Sequence, residues 1–224
     1  MTGQKTRQAK RLRDDDALVR QLRRLATKHF SETFLGAGSF VPGWITEDDL
    51  FALGRYVKSV PTGHVVEVGV ALGRTTTAIA AKALDRGCSY FAVDTFSGSD
   101  DPDDMINELY SVNHGHLVRS AFEANCRALR LWEHINLIEE HSVEAAKRFA
   151  DGQIAMCFID ADHTYDAVMQ DIAAWWPKVM PMGVMCGHDR QVPAVWKAVM
   201  EFVGRERVGA IQEANVWAIQ KPGS

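Results

Sequence analysis

The sequence predicts an α/β fold built on a doubly wound, mostly parallel seven-stranded sheet with an antiparallel edge hairpin. Three observations carry this. From residue 64 onward, five short apolar or β-branched runs alternate with helical segments, which calls for a parallel sheet covered on both faces. The first run turns through small residues directly into a helix, "VVEVGVALGRTTTAIA". The chain closes on "VGAIQEANVWAIQ", two strand-like runs around "EAN" that read as a hairpin at one sheet edge.

In chain order, residues 1–13 carry Lys5, Arg7, Lys10, Arg11 and Arg13 without an acid; "DDD" follows, and Leu18, Leu22 and Leu25 recur at helical spacing. The basic run reads as a solvated helix start rather than a phosphate or lipid contact, because it is short and soon offset. Residues 1–55 are expected to form a helical arm or cap, and 56–224 the main domain. Strands are expected at 64–69, 89–94, 135–139, 154–160 and 182–187, and helices at 74–85, 117–131, 142–150, 164–176 and 193–203. The acidic, turn-rich loop "SGSDDPDDMINE" lies where a lid over a site would lie. With Phe34, Phe40 and Trp44 of the arm it is expected to border a pocket for a small-molecule acceptor.

A net charge of -4 over 224 residues gives no electrostatic reason to expect nucleic acid or an anionic membrane as partner. Cys88, Cys126, Cys157 and Cys186 are scattered, two of them inside apolar runs, so neither a zinc knuckle nor a disulfide framework is indicated. No run reaches the roughly 18 apolar residues that span a bilayer, and the N-terminus has no apolar leader core. A cytoplasmic protein is expected, and the spare apolar residues of the arm allow for a homo-oligomer.

Gly69, Ala71 and Gly73 let the backbone approach a ligand closely, and the helix that begins near Arg74 or Thr75 offers free N–H groups. Any nucleotide-binding turn would share this. Glu67 is the discriminating residue: a carboxylate two positions before Gly69 repels a pyrophosphate but attracts a sulfonium or amino group. Asp94 ends the second strand at the interval where an acid meets a ribose in doubly wound folds. Ser142 is placed to cap the helix after the third strand.

The spacing Glu67-x-Gly69-x-Ala71-x-Gly73 resembles the first motif of class I S-adenosylmethionine-dependent methyltransferases. That resemblance implies a Rossmann-like methyltransferase fold, the acid near the methionine moiety, Asp94 on the ribose and Ser142 near the adenine.

The stretch "FIDADHTYDAV" ends the fourth strand on Asp160, which should face the same cleft as Glu67 and Asp94, and "GVMCGHDR" ends the fifth on His188 and Asp189. Asp160, His188 and Asp189 together offer a divalent cation three oxygen or nitrogen ligands. Mostly oxygen ligands favour Mg²⁺, and one imidazole also admits Mn²⁺, Fe²⁺ or Zn²⁺. "IDADHTYDAV" followed by "MGVMCGHD" is similar to the metal-dependent O-methyltransferase group that includes the macrocin-type sugar methyltransferases and, more distantly, catechol-type enzymes. This similarity, over roughly residues 60–220, implies Mg²⁺ on Asp160, His188 and Asp189 and a general base at His163. An imidazole suits that task near neutrality. His188 departs from the acid or amide pair usual in these families.

The expected function is methyl transfer from S-adenosylmethionine to a hydroxyl of a small molecule, a sugar or glycosylated metabolite. The alternatives are a non-catalytic accessory subunit that binds the cofactor, and a nicotinamide-dependent oxidoreductase, against which Glu67 argues.

Overall fold

This computed structural model describes residues 41–99, 107, 110, 115–206 and 209–223. The basic run, the leucine-spaced helix, Phe34, Phe40 and most of the acidic loop fall outside the described residues. Among those described the elements are α1 (Glu47–Ser59), β1 (His64–Val68), α2 (Arg74–Asp85), β2 (Ser89–Val93), α3 (Gly115–Ala128), β3 (Ile135–Ile138) and α4 (Ser142–Ala146). They continue with β4 (Ile154–Ile159), α5 (Tyr165–Trp175), β5 (Val179–Gly187), α6 (Pro193–Glu206), β6 (Ala210–Glu213) and β7 (Val216–Gln220). The seven strands are ordered β3-β2-β1-β4-β5-β7-β6. β1 to β5 pair in parallel; β7 runs antiparallel to β5 and β6, forming the expected edge hairpin.

Apolar side chains alternate to the two faces of the sheet. Val66, Val68, Cys157 and Ile159 pack with Trp175, Val199 and Trp217 under α4, α5 and α6. Val65, Met156, Phe158 and Cys186 pack on the opposite face with Leu53 and Val57 of α1 and Ile79 of α2. Burial of such side chains contributes about 1.5–3 kcal/mol each, so both helix layers are fixed to the sheet by its own strand pattern. The expected boundary at residue 55 falls inside α1, whose apolar face belongs to the domain core.

The register sets the site. Val68 aligns with Val93 and with Ile159, and Ile159 with Gly187, so β1, β2, β4 and β5 end level. The next residues continue the ladder by one bond each: Gly69 N donates to Val93 O, Asp160 N to Val68 O and His188 N to Ile159 O, at 2.9, 2.8 and 3.1 Å. Gly69, Asp94, Asp160 and His188 therefore stand in a row along the carboxyl edge, where open α/β sheets hold ligands.

Several boundaries differ from expectation: most by one residue, but α6 runs to Glu206 rather than 203. β5 starts at Val179 rather than 182, α3 covers 115–128 rather than 117–131, and α4 stops at Ala146 rather than 150. No described helix is long and apolar enough to cross a membrane.

Candidate active site

Gly69 has φ +85°, and a Cβ there would lie 2.0 Å from the Asp160 carbonyl oxygen, so only glycine lets β1 and β4 end side by side. Gly73 has φ +84° and is the N-cap of α2, while Ala71 between them also has positive φ, at 42°. Such a left-handed turn without glycine must be held from outside. Asp94 holds it: one carboxylate oxygen accepts from Val70 N and Ala71 N at 2.8 and 3.0 Å, and the other from Phe96 N at 2.7 Å. A ribose hydroxyl would share those oxygens with the turn. Thr75, in the first turn of α2, is nearly buried and lines the cleft.

Glu67 lies elsewhere than expected. Its side chain is buried beneath β1, away from the cleft walls, and accepts hydrogen bonds from Thr76 Oγ1 and Tyr90 OH at 2.5 and 2.6 Å. Burial pushes its pKa up to about 8, the two hydroxyls pulling against it and Asp160 and Asp94 adding to it. The acid thus carries a proton at neutral pH and supports the turn from below instead of presenting a charge to a sulfonium. Ser142 is also placed differently. His141, with extended φ/ψ, is the N-cap of α4; Ser142 is the first helical residue, and its hydroxyl accepts from Trp175 Nε1 at 2.8 Å. Capping needs the extended backbone that His141 has and Ser142 lacks.

At the ends of β4 and β5, ligand atoms of Asp160, His163 and Asp189 lie within 4.8 Å of one another. His163 Nε2 is 2.9 Å from Asp189 Oδ2. His188, expected as a third ligand, stands among three carboxylates. Its Nδ1 is 3.1 Å from Asp189 Oδ2 and 3.7 Å from Asp160 Oδ1, and its Nε2 is 3.3 Å from Asp49 Oδ2. Carboxylates at both nitrogens favour the doubly protonated ring. Burial works against that charge, but Asp160, Asp189 and Asp49 outweigh it and take the His188 pKa up to about 10. Burial likewise raises Asp160, to about 6, with Asp189 and Asp49 adding and the two histidines subtracting. Asp189, although buried, is held well below the ordinary carboxylate range by His163 and His188.

Asp49 and Asn215 complete the cluster and were not among the expected residues. Asp49, fully buried in α1, accepts from Thr46 N and Asn215 N at 2.9 and 2.7 Å. Asn215, in the β6–β7 turn, reaches Asp189 Oδ1 with Nδ2 at 3.3 Å. The signal for Asp49 was legible: Thr46-x-x-Asp49 ahead of an apolar run is a capping box, and both of its reciprocal bonds form.

Two cavities meet at this seam and share Gly69, Ala71, Asp160 and Ala161. The smaller, ≈ 360 Å³, holds His163, His188 and Asp189 on one side and Trp44, Ile45 and Val192 on the other. The larger, ≈ 650 Å³, runs past Asp94 and Ser99 to Ser142 and Asp171. One trough for an elongated ligand thus opens, at the acid–histidine cluster, onto a compact apolar chamber.

A family described as a methyltransferase domain matches residues 66–190, more than half of the chain and the whole span from the glycine turn to Asp189. The chain is a class I methyltransferase of that family. Among solved structures, the methyltransferase resembles the O-methyltransferase NovP (TM-score 0.64, 19% identity, 80% of this chain and 81% of that one). It also resembles an S-adenosylmethionine-dependent O-methyltransferase from Thermotoga maritima (0.57, 11%, 81% and 67%). A third is CalS11, a calicheamicin methyltransferase (0.55, 17%, 92% and 91%). At these identities the likeness is one of fold. The uncharacterized protein y4gI of Sinorhizobium fredii (strain NBRC 101917 / NGR234) is 29% identical over 140 residues, 61% of this chain; the match spans only 14% of that longer protein.

Proposed function

We propose that this methyltransferase transfers a methyl group from S-adenosylmethionine to a hydroxyl of a small molecule, a sugar or glycosylated metabolite. The observation that carries this is the meeting of Asp160, His163 and Asp189 at the seam between the trough and the chamber. S-adenosylmethionine supplies a methyl already activated by its sulfonium, so orientation and deprotonation of the acceptor are the tasks left to the chain. The trough takes the cofactor, with its reacting end at Gly69 and Ala71, and the chamber takes the acceptor. In the tautomer that donates Nε2–H to Asp189, Nδ1 is the basic nitrogen of His163, and it accepts the acceptor's hydroxyl proton.

The cluster fits a divalent cation. Asp49, Asp160 and Asp189 outnumber the one imidazolium, His188, and an oxygen-rich set suits Mg²⁺. Asp160 and Asp189 would hold the ion, and it would supply Lewis acidity toward the acceptor oxygen. Asp49, His188 and Asn215 fix Asp189 from behind.

The test is release of S-adenosylhomocysteine with a panel of sugars, glycosides and simple diols, with and without Mg²⁺. His163→Ala is expected to lower kcat by about 10²–10⁴-fold while S-adenosylhomocysteine binding stays within about threefold. Normal turnover by that variant would overturn the base assignment, and full activity after chelation would overturn the metal's part.

A further inference from the structure

The trough has a direction. Its end at Gly69, Ala71 and Asp160 is common to both cavities and lies against His163 and Asp189, so the reacting sulfur of a bound cofactor belongs there. The remaining length runs past Asp94 to a far end lined by His141, Ser142 and Val143 of the α4 start and by Ala167, Gln170 and Asp171 of α5. That far end must take the purine.

Its polar groups are unequal. Glu140 is committed to Arg148 and Glu144 to Lys147, both at the surface. Gln170 and Asp166 are exposed. Asp171 is different: only 5% exposed, it forms the floor of the far end. Its interacting neighbours are the Ser142 hydroxyl and, at longer range, the Asp162 carboxylate, not a lysine or arginine. Ser142 in turn accepts from Trp175 Nε1, and its one hydroxyl proton goes to Asp171. The acid, buried and lining the trough, keeps oxygen lone pairs beyond that one contact.

We propose that Asp171 is the purine-reading residue of this site and selects adenine by accepting a hydrogen bond from its exocyclic amino group. This rests on the reading of the trough as the S-adenosylmethionine site. A buried carboxyl without a cation beside it costs stability, and burial pushes Asp171 up to about 6. A ligand amino group offsets that cost, whereas a ligand carbonyl at the same place sets oxygen against oxygen. Ser142 and Trp175 act as positioning residues for the carboxyl.

The test compares two ligands on one protein, S-adenosylhomocysteine and S-inosylhomocysteine, which differ in the amino group against a carbonyl. Calorimetric titration of the wild-type chain is expected to favour the adenosyl ligand by roughly 10²-fold, since a site built for a donor rejects an analogue lacking it. In Asp171→Asn the side-chain amide can turn its NH₂ to the inosyl carbonyl, and the preference is expected to fall below about fivefold. Because the ratio is taken within one protein, a general loss of stability cancels. Ser142→Ala provides the second arm: it keeps the carboxyl and is expected to keep most of the preference. An undiminished preference in Asp171→Asn would overturn the assignment and leave Asp171 as a partner of Ser142 alone. Failure of S-adenosylhomocysteine to bind the wild-type chain would overturn the cofactor reading itself.

Discussion

His188 stands between three carboxylates, and Asp49 is the one that depends on it most, being fully enclosed. Removing the ring leaves a buried carboxylate with only Thr46 and Asn215 as donors. His188→Ala is therefore expected to destabilise the chain by about 3 kcal/mol, the low end for breaking a buried pair, as read by urea denaturation at pH 7. A loss under about 1 kcal/mol would mean that those donors suffice. Glu67 carries the opposite burden. Its folded pKa rises from 4.5 to about 8, so between those values the folded chain keeps a proton that the unfolded chain has lost. Its contribution is present in full below pH 4.5 and is lost as pH rises toward 8. Glu67→Gln keeps an oxygen for Thr76 and Tyr90 and removes the titration. Denaturation midpoints should therefore fall less steeply with pH in the variant than in the wild-type chain across that window. Parallel curves would show that Glu67 is ionised in the folded protein.

At the scale of elements, the β1–α2 turn is defined by what it must avoid. Gly69→Ala would put a Cβ 2.0 Å from the Asp160 carbonyl at a φ of +85°, so both the turn and the β4 end have to move. The expected result is a loss of more than about 2 kcal/mol together with loss of S-adenosylhomocysteine binding in calorimetry. A stable variant with wild-type affinity would show that the strand ends separate without cost. This turn was legible because its constraint is local: small residues at fixed spacing between a strand run and a helix run. So were the row of strand ends and the edge hairpin, since strand period and crossover rules leave few arrangements. The direction of a side chain from the row was not legible. Glu67 lies one residue before the last of β1, and strand alternation sends it under the sheet face with Tyr90, while Asp94 and Asp160, just past their strands, turn toward the cleft. Nor could sequence bring Asp49 of α1 against His188, 139 positions later, or show that His188 would thereby be occupied at both nitrogens.

At the scale of the whole molecule, ligand and fold are linked because the trough is walled by parts of nearly every layer. β1, β2 and β4 supply its rim through Val68, Asp94 and Asp160, and α4 and α5 its far end. A ligand that fills it therefore stabilises the entire folded state over the unfolded one, not a single loop. At a concentration about 100 times its Kd, S-adenosylhomocysteine should add about 2.7 kcal/mol. For a chain of this size each kcal/mol raises Tm by roughly 2–4 °C, so a rise of about 5–10 °C is expected in a thermal melt. NADH at equal concentration should leave Tm within about 1 °C, because Val70 N and Ala71 N, turn donors a pyrophosphate would need, are already given to the Asp94 carboxylate. Asp171→Asn should keep the adenosyl-induced rise in reduced form, since the rim contacts persist. A comparable rise with NADH would mean that the trough reads the nucleoside but not the sulfur end, and the assignment of Gly69 and Ala71 to the reacting end would fall with it.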